Sequence, residues 1–221
     1  MKTAAFYRKL ADRSCTTTRE AAQLTGLRVP AASMKLRRLA AEGLVIPLKR
    51  GHWLVGPAAP RAGALVAVAA DPYRAYLSGW SALRVHGRIQ QIPRKHFAVT
   101  LGRPREVALG GTEVSLHHVA PEVFGGYDYD SRGDGFVASA EKAIFDLAYL
   151  AAMNRSRVGA HLPETDLRGL RWSEVKAWVA RIPAQSMRPV VLRNLQRIRE
   201  ERASATGATL PDETRDLNYI P

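Results

Sequence analysis

Cysteine and long apolar runs are both scarce in this chain. Cys15 is the single cysteine among 221 residues, which excludes an intramolecular disulfide and a cysteine-rich zinc site. The apolar run at residues 63–70 is far shorter than the roughly 20 residues that cross a bilayer. The first residues carry charges every few positions, unlike the apolar centre of a secretory signal. These absences predict a cytoplasmic protein with no membrane partner.

Acidic residues are also scarce relative to basic ones. The chain has 33 Lys and Arg against 20 Asp and Glu, a formal net charge of +13. Residues 1–60 contribute +8 of this excess and residues 61–221 contribute +5. Such a charge favours a polyanionic partner, whether a nucleic acid, an acidic membrane or an acidic protein surface. Codon bias in a GC-rich genome produces a similar Arg and Ala excess, so charge alone does not decide the function.

The first 56 residues carry signals for three helices and a β-hairpin. Apolar spacing predicts a first helix over 3–13, and Thr17 with Glu20 forms the capping box of a second helix that Gly26 closes. Pro30 suits the first position of a third helix, which Gly43 ends. Two short apolar segments around a turn at 49–51 predict the hairpin.

This order of elements is typical of a winged helix-turn-helix. In the third helix Ala32, Leu36 and Leu39 share one face, while Met34, Arg37 and Arg38 lie opposite. An apolar stripe backed by cations fits a recognition helix that packs inward and enters the major groove of DNA, although a solvated basic face of a protein-binding domain would look alike. The predicted DNA-binding residues are Thr18, Arg19, Arg28, Ser33, Lys35, Arg37, Arg38, Lys49 and Arg50, the last two at the hairpin tip.

The remaining sequence predicts a second, mixed α/β domain with a helical end. Pro57, Pro60 and Gly63 indicate a linker at 57–63. After it the pattern predicts a buried strand over 63–69, a helix over 72–87, strands at 96–102, 113–120 and 135–140, a helix from Ser139, and helices at 172–182 and 187–204. We therefore predict an α+β protein with a winged helix-turn-helix at 1–58, a C-terminal domain at 59–204 and a polar tail at 205–221.

Nearly the whole of residues 1–200 resembles the AbiEi antitoxin family, the antitoxins and transcriptional regulators of type IV toxin–antitoxin systems. Residues 16–56, TTTREAAQLTGLRVPAASMKLRRLAAEGLVIPLKRGHWLVG, are similar to its N-terminal winged helix. Residues 76–93, YLSGWSALRVHGRIQQIP, resemble its Tyr-Leu-Ser, Ser-Ala-Leu, His-Gly and Pro block. Residues 137–151, VASAEKAIFDLAYLA, resemble its Glu-Lys-Ala and Asp-Leu helix. The last twenty residues match nothing in the family.

The resemblance implies an antitoxin with two tasks in phage defence. Its N-terminal domain would bind inverted repeats in its own promoter and repress the operon, and its C-terminal domain would counter a cognate nucleotidyltransferase-like toxin, with or without direct contact. We expect a monomer or weak dimer that pairs on double-stranded DNA. The alternative is a winged-helix regulator that responds to a small ligand and has no toxin.

No pattern in the sequence assembles an enzyme or a metal site. His117 and His118 are adjacent and would point to opposite faces of a strand. The Asp-rich segment 125–135 lacks the glutamate of a calcium loop, and we interpret it as a Gly-rich turn. Cys15 has no histidine nearby and is predicted to be inert. Glu141 is expected to lie in a first helical turn, and Asp146 to pair with Arg84 or Arg88. We predict no catalytic residue, cofactor or metal.

Overall fold

The computed structural model describes residues 2–56, 60–92, 94–154 and 165–206, without the side chains of 201–206. In these ranges the chain is mixed α and β, with eight α-helices and two sheets. The helices are α1 Thr3–Arg8, α2 Thr18–Thr25, α3 Val29–Ala41, α4 Ala62–Ala70, α5 Gly79–Val85, α6 Ala140–Met153, α7 Trp172–Ala180 and α8 Arg188–Thr206. The strands are β1 Cys15–Thr17, β2 Val45–Lys49, β3 His52–Val55, β4 Ala75–Leu77, β5 Lys95–Thr100, β6 Arg105–Leu109, β7 Thr112–His118, β8 Tyr127–Asp130 and β9 Gly135–Ala138.

The N-terminal part packs α1, α2 and α3 against an antiparallel sheet of order β1-β3-β2. Its buried hydrophobic residues form a cluster of their own, separate from the core of the second part. The buried residues are Phe6, Leu10, Ala21, Ala22, Ala32, Leu36, Leu39, Val45, Trp53 and Val55.

The predicted caps of α2 and α3 are confirmed. The Thr17 hydroxyl accepts a hydrogen bond from the Glu20 amide at 3.1 Å, and the Glu20 carboxylate accepts one from the Thr17 amide at 2.8 Å. Gly26 ends α2 in the left-handed region at φ 68°, and Gly43 does so after α3 at φ 71°. The first helix is shorter than predicted and ends at Arg8, after which two single turns carry Leu10 into the core.

The second part is built on a six-stranded mixed sheet of order β6-β7-β5-β4-β9-β8. Strand β4 runs parallel to β9, and β5 runs parallel to β7, while the other neighbours are antiparallel. Helix α4 covers one face of this sheet. The Arg105 side chain lies on the same face and donates a hydrogen bond to the Ala69 carbonyl of α4 at 2.7 Å. Helix α6 covers the opposite face, to which Tyr76 points, and packs in turn on α5, α7 and α8.

Two predicted elements are wrong, and both errors come from apolar stretches. Residues 63–69, predicted as a strand, belong to α4, where Ala67 is the only exposed residue of the seven. When nearly every residue of an apolar segment is buried, its hydrophobic pattern has no periodicity that distinguishes a helix from a strand. The alanines in this segment favour the helix. Residues 72–87, predicted as one helix, divide into β4 and α5, since Gly79 turns the chain at φ 47°.

The other predicted strands and helices are present with shifted ends, and β1, β6 and β8 were not predicted. Strand β8 lies in the Asp-rich segment that we interpreted as a Gly-rich turn, and it pairs with β9. The predicted linker is shorter than expected, because Ala62 and Gly63 are helical. The domain boundary at 58/59 lies outside the described residues, as does the predicted tail from residue 207 onward.

The two parts contact each other directly at the start of β1 and at the hairpin tip. At the start of β1, the Ser14 amide donates to the Asp134 carboxylate at 3.4 Å. At the hairpin tip, the Lys49 ammonium lies 3.8 Å from Asp71. These contacts orient the N-terminal sheet on the second part.

Helix α4 crosses the β8–β9 hairpin at a distance that only glycine allows. A Cβ on Gly63 would lie 2.6 Å from the Gly135 Cα and 2.7 Å from the Gly133 carbonyl oxygen. These neighbours are backbone atoms, so a methyl group would push helix and hairpin apart. The crossing therefore depends on the absence of a side chain at 63.

We predict that Gly63→Ala destabilises the protein by about 1–3 kcal/mol, the typical cost of overpacking. Helix propensity alone would predict a gain in stability of about 1 kcal/mol. The sign of the change in unfolding free energy therefore shows whether overpacking or helix propensity dominates. Urea unfolding measures it, with Ala67→Ser on the exposed side of α4 as the control expected to change little. A stabilised Gly63→Ala protein would show that the crossing is not tight.

Candidate functional site

The outer face of α3 is an exposed, basic surface of the N-terminal part. Ala32, Leu36 and Leu39 are fully buried, and this burial turns Met34, Arg37 and Arg38 outward. Met34 is 58% exposed. The helix thus presents two consecutive arginines on a face that no other described part of the chain covers.

The structure places most of the predicted DNA-binding residues at the surface. Arg19, Arg28, Arg37, Arg38 and Arg50 are exposed, while Thr18, Ser33, Lys35 and Lys49 are half-buried. Arg19 follows the start of α2, and Arg28 precedes α3. Apart from Lys49, none of these cations has a carboxylate within ion-pair distance in the part of the chain that the structure describes.

Thr18 joins α2 to the hairpin. Its hydroxyl accepts a hydrogen bond from the Trp53 indole N–H at 2.9 Å, and its amide donates to the Gly51 carbonyl at 2.8 Å. Both partners lie on or beside the hairpin. Thr18 therefore fixes the hairpin relative to α2 and is only partly available to a ligand.

Lys49 differs from the other predicted cations because it contacts the second part. Its ammonium lies 3.8 Å from the Asp71 carboxylate, and the His52 ring lies 3.7 Å from the same carboxylate. Partial burial lowers the pKa of Lys49; the charge of Asp71 opposes this shift and that of Arg105 adds to it. The hairpin tip therefore lies among charged groups of both parts.

A second polar cluster lies inside the second part, beneath α6. Lys142 and Asp146 are fully buried one helical turn apart and form an ion pair. The Ser78 hydroxyl donates to Asp146 at 2.7 Å, and the Tyr76 hydroxyl donates to it at 3.2 Å. The Lys142 ammonium also donates to the Tyr76 hydroxyl at 3.0 Å. Every polar member of this cluster has a partner, as burial requires.

Aromatic rings enclose the Lys142 ammonium. It lies 4.8 Å from the Trp178 ring centroid, 5.0 Å from that of Phe145 and 5.5 Å from that of Tyr76. Cation–π contact adds to the stability of a desolvated ammonium. Burial lowers the pKa of Lys142 and raises that of Asp146, and the opposite charge of each partner limits the other's shift. Lys142 and Asp146 are both fully buried, so the cluster is shielded from solvent.

The predicted partner of Asp146 is therefore wrong. Arg84 donates to the Ile89 carbonyl and Arg88 to the Arg168 carbonyl, whereas Asp146 pairs with Lys142 on its own helix. The i, i+4 spacing of Lys142 and Asp146 was the signal that pointed to this pair. Nothing in the sequence pointed to Tyr76, because the strand containing it was predicted as a helix.

Glu141 lies in the first turn of α6, as expected. Burial opposes its ionisation, but hydrogen bonds from its own amide and from the amide and guanidinium of Arg171 lower its pKa overall. The carboxylate is held by Arg171 and does not join the Lys142 cluster. Glu141 and Lys142 thus do not form a shared catalytic group.

His117 and His118, which are adjacent in β7, make separate contacts. His117 bonds Ser115 and stacks on Phe97, whereas His118 bonds the Gly102 carbonyl. Among the described residues no three His, Cys, Asp or Glu side chains lie close enough to hold a metal ion. Burial, aided by the charges of Asp134 and Glu20, raises the pKa of the Cys15 thiol to about 11.

Comparison with known proteins finds no protein-family model and no curated protein that matches this chain. Among the helices of the described residues, none is long and apolar enough to cross a membrane.

We predict that Lys142→Met destabilises the protein by about 3–5 kcal/mol at neutral pH, because it leaves the Asp146 carboxyl buried without its cation. Burial already raises the pKa of Asp146, so in this variant the folded state binds a proton more tightly than the unfolded chain. Its stability should therefore be highest at low pH and fall as pH rises through the folded-state pKa. Urea unfolding across pH measures this loss.

The matched control is the double variant Lys142→Met with Asp146→Asn, which removes both charges. We expect it to be more stable at neutral pH than Lys142→Met alone, because no charge is left unpaired. The ion pair would be contradicted if the two substitutions lowered the free energy of unfolding additively. It would also be contradicted if the stability of Lys142→Met did not depend on pH.

Proposed function

We propose that this protein is a DNA-binding repressor of the winged helix-turn-helix type, with α3 as its recognition helix and the β2–β3 hairpin as its wing. The observation that carries the proposal is the outer face of α3, opposite a fully buried stripe, where Arg37 and Arg38 are exposed and form no ion pair with any residue that the structure describes. Exposed cations on a helix held by a compact scaffold are what entry into a major groove requires.

The proposed roles of the basic residues differ. Ser33, Arg37 and Arg38 would reach base edges, where an arginine bonds guanine through two N–H groups. Arg50 at the hairpin turn would contact phosphate, and Arg19 and Arg28 would hold the helices on the backbone. The protein would then repress transcription by covering a promoter, with two copies on an inverted repeat.

We further propose that the repressor is an antitoxin for a nucleotidyltransferase-like toxin. The support is the resemblance of two blocks to the AbiEi family, together with the way those blocks meet in the fold. Ser78 of the first block bonds Asp146 of the second, and the His86 ring bonds the Ala138 carbonyl at 2.7 Å. The residues that carry the resemblance are thus the ones that hold α5, β9 and α6 together.

The DNA-binding proposal predicts two classes of arginine. Arg37→Ala or Arg38→Ala should weaken binding to the operator far more than binding to scrambled duplex, since one base contact contributes about 1–3 kcal/mol of discrimination. Arg50→Ala should weaken both equally and lower the salt slope by about one unit. Fluorescence anisotropy on a duplex from upstream of the gene, titrated with salt, measures both effects.

The control for these variants is Arg193→Ala, which removes an exposed cation on α8 that forms no ion pair within the described part of the chain. It should bind both duplexes like the parent protein. If Arg37→Ala and Arg38→Ala also bind like the parent, α3 is not the reading helix.

The antitoxin proposal predicts that the two tasks separate. The full chain carrying Arg37→Ala and Arg38→Ala should lose repression of a promoter reporter, yet still protect cells that express the neighbouring nucleotidyltransferase-like gene. Protection is expected to persist because both substitutions lie outside the second part. Loss of protection at normal protein levels would contradict this division.

A further inference from the structure

The hairpin tip lies against two turns of the second part, the turn at 71–74 and the turn between β6 and β7. Asp71 contacts Lys49 and His52, which places the turn at 71–74 beside the tip. Leu48 lies against the β6–β7 turn, where a Cβ on Gly110 would be 3.3 Å from its Cδ2. The tip is therefore bordered by the second part on more than one side.

The turns at 71–74 and 101–105 adjoin each other. The Thr100 hydroxyl donates to the Arg74 carbonyl at 2.9 Å and accepts from the Gly102 amide at 3.1 Å. The Tyr73 ring lies on Gly102, where a Cβ would come within 2.7 Å of its Cδ2. One threonine and one aromatic ring thus hold both turns in a single rigid surface.

This surface is strongly basic. Arg74 and Arg103 are exposed on its two turns, and neither has an ion-pair partner among the residues described. Arg105 is fixed by its bond to the Ala69 carbonyl, and its charge acts on Lys49. The neighbouring Glu106 points to the opposite sheet face and binds Lys95 there at 2.9 Å.

The Asp71 carboxylate and the Arg105 guanidinium both lie close enough to Lys49 for their charges to act on it. Lys49 and Arg50 are the cations of the tip itself, and Arg74 and Arg103 add exposed positive charge on the two adjoining turns. A duplex that contacts the hairpin tip would bring its flanking phosphates toward these turns.

We propose that the DNA interface continues from the hairpin tip onto the second part, with Arg74 and Arg103 as phosphate contacts and Asp71 as a carboxylate that competes with phosphate for Lys49. This inference rests on the proposed function. It assigns to the second part a share of DNA affinity that carries no sequence preference, because contacts to phosphate do not read bases.

The test is a salt titration of the full-length protein on the operator duplex and on a scrambled duplex of equal length. Arg74→Ala and Arg103→Ala should each weaken binding to both duplexes several-fold and lower the salt slope by up to about one unit. Asp71→Asn should tighten binding to both several-fold, since it frees Lys49. Arg193→Ala is the matched control, and thermal unfolding checks that each variant is folded.

The outcomes separate this inference from the proposed function. If Arg74→Ala and Arg103→Ala bind like the parent while Arg37→Ala loses the operator, the interface ends at the hairpin and the inference is overturned. If Asp71→Asn binds no more tightly than the parent, Asp71 does not compete with phosphate. If no variant, including Arg37→Ala, changes DNA binding, the proposed function itself fails.

Discussion

The buried ion pair of Lys142 and Asp146 is the constraint around which the second part is organised. Neither charge could remain in the interior without the other, and Ser78, Tyr76 and the Trp178 ring supply their remaining contacts. Because Tyr76 and Ser78 lie in and just after β4, the pair fixes this central strand against α6. The sheet, and the helix α4 on its other face, take their positions from that contact.

The position of β4 has a consequence at the other end of the molecule. The turn that enters β4 carries Asp71, which contacts Lys49 and His52 of the hairpin. The hairpin is joined to α2 through Thr18 and Trp53, and α3 packs on the same small core. A chain of direct contacts therefore runs from the buried pair to the basic face of α3, and it holds the proposed DNA-binding face in a defined orientation on the second part.

The sequence was most informative where local chemistry decides the structure. The capping box at Thr17 and Glu20, the glycines after α2 and α3, and the apolar stripe of α3 depend on residues close in sequence, and all were predicted. The strand at 75–77 and the helix at 62–70 depend on burial by elements that are distant in sequence. The spacing of their apolar residues therefore has no periodicity from which the type of secondary structure could be predicted. The partner of Asp146 and the arginines beside the hairpin tip could not be predicted, because long-range packing brings those groups together.

Hydrogen–deuterium exchange of the full-length protein, with and without a duplex from upstream of its own gene, tests the proposed DNA-binding face most directly. The account predicts slower exchange on DNA in α3, in the β2–β3 hairpin and in the turns at 71–74 and 101–105. Exchange in α6 and α8 should not change. Protection confined to α7 and α8, or no protection in α3 at a saturating concentration of DNA, would contradict it.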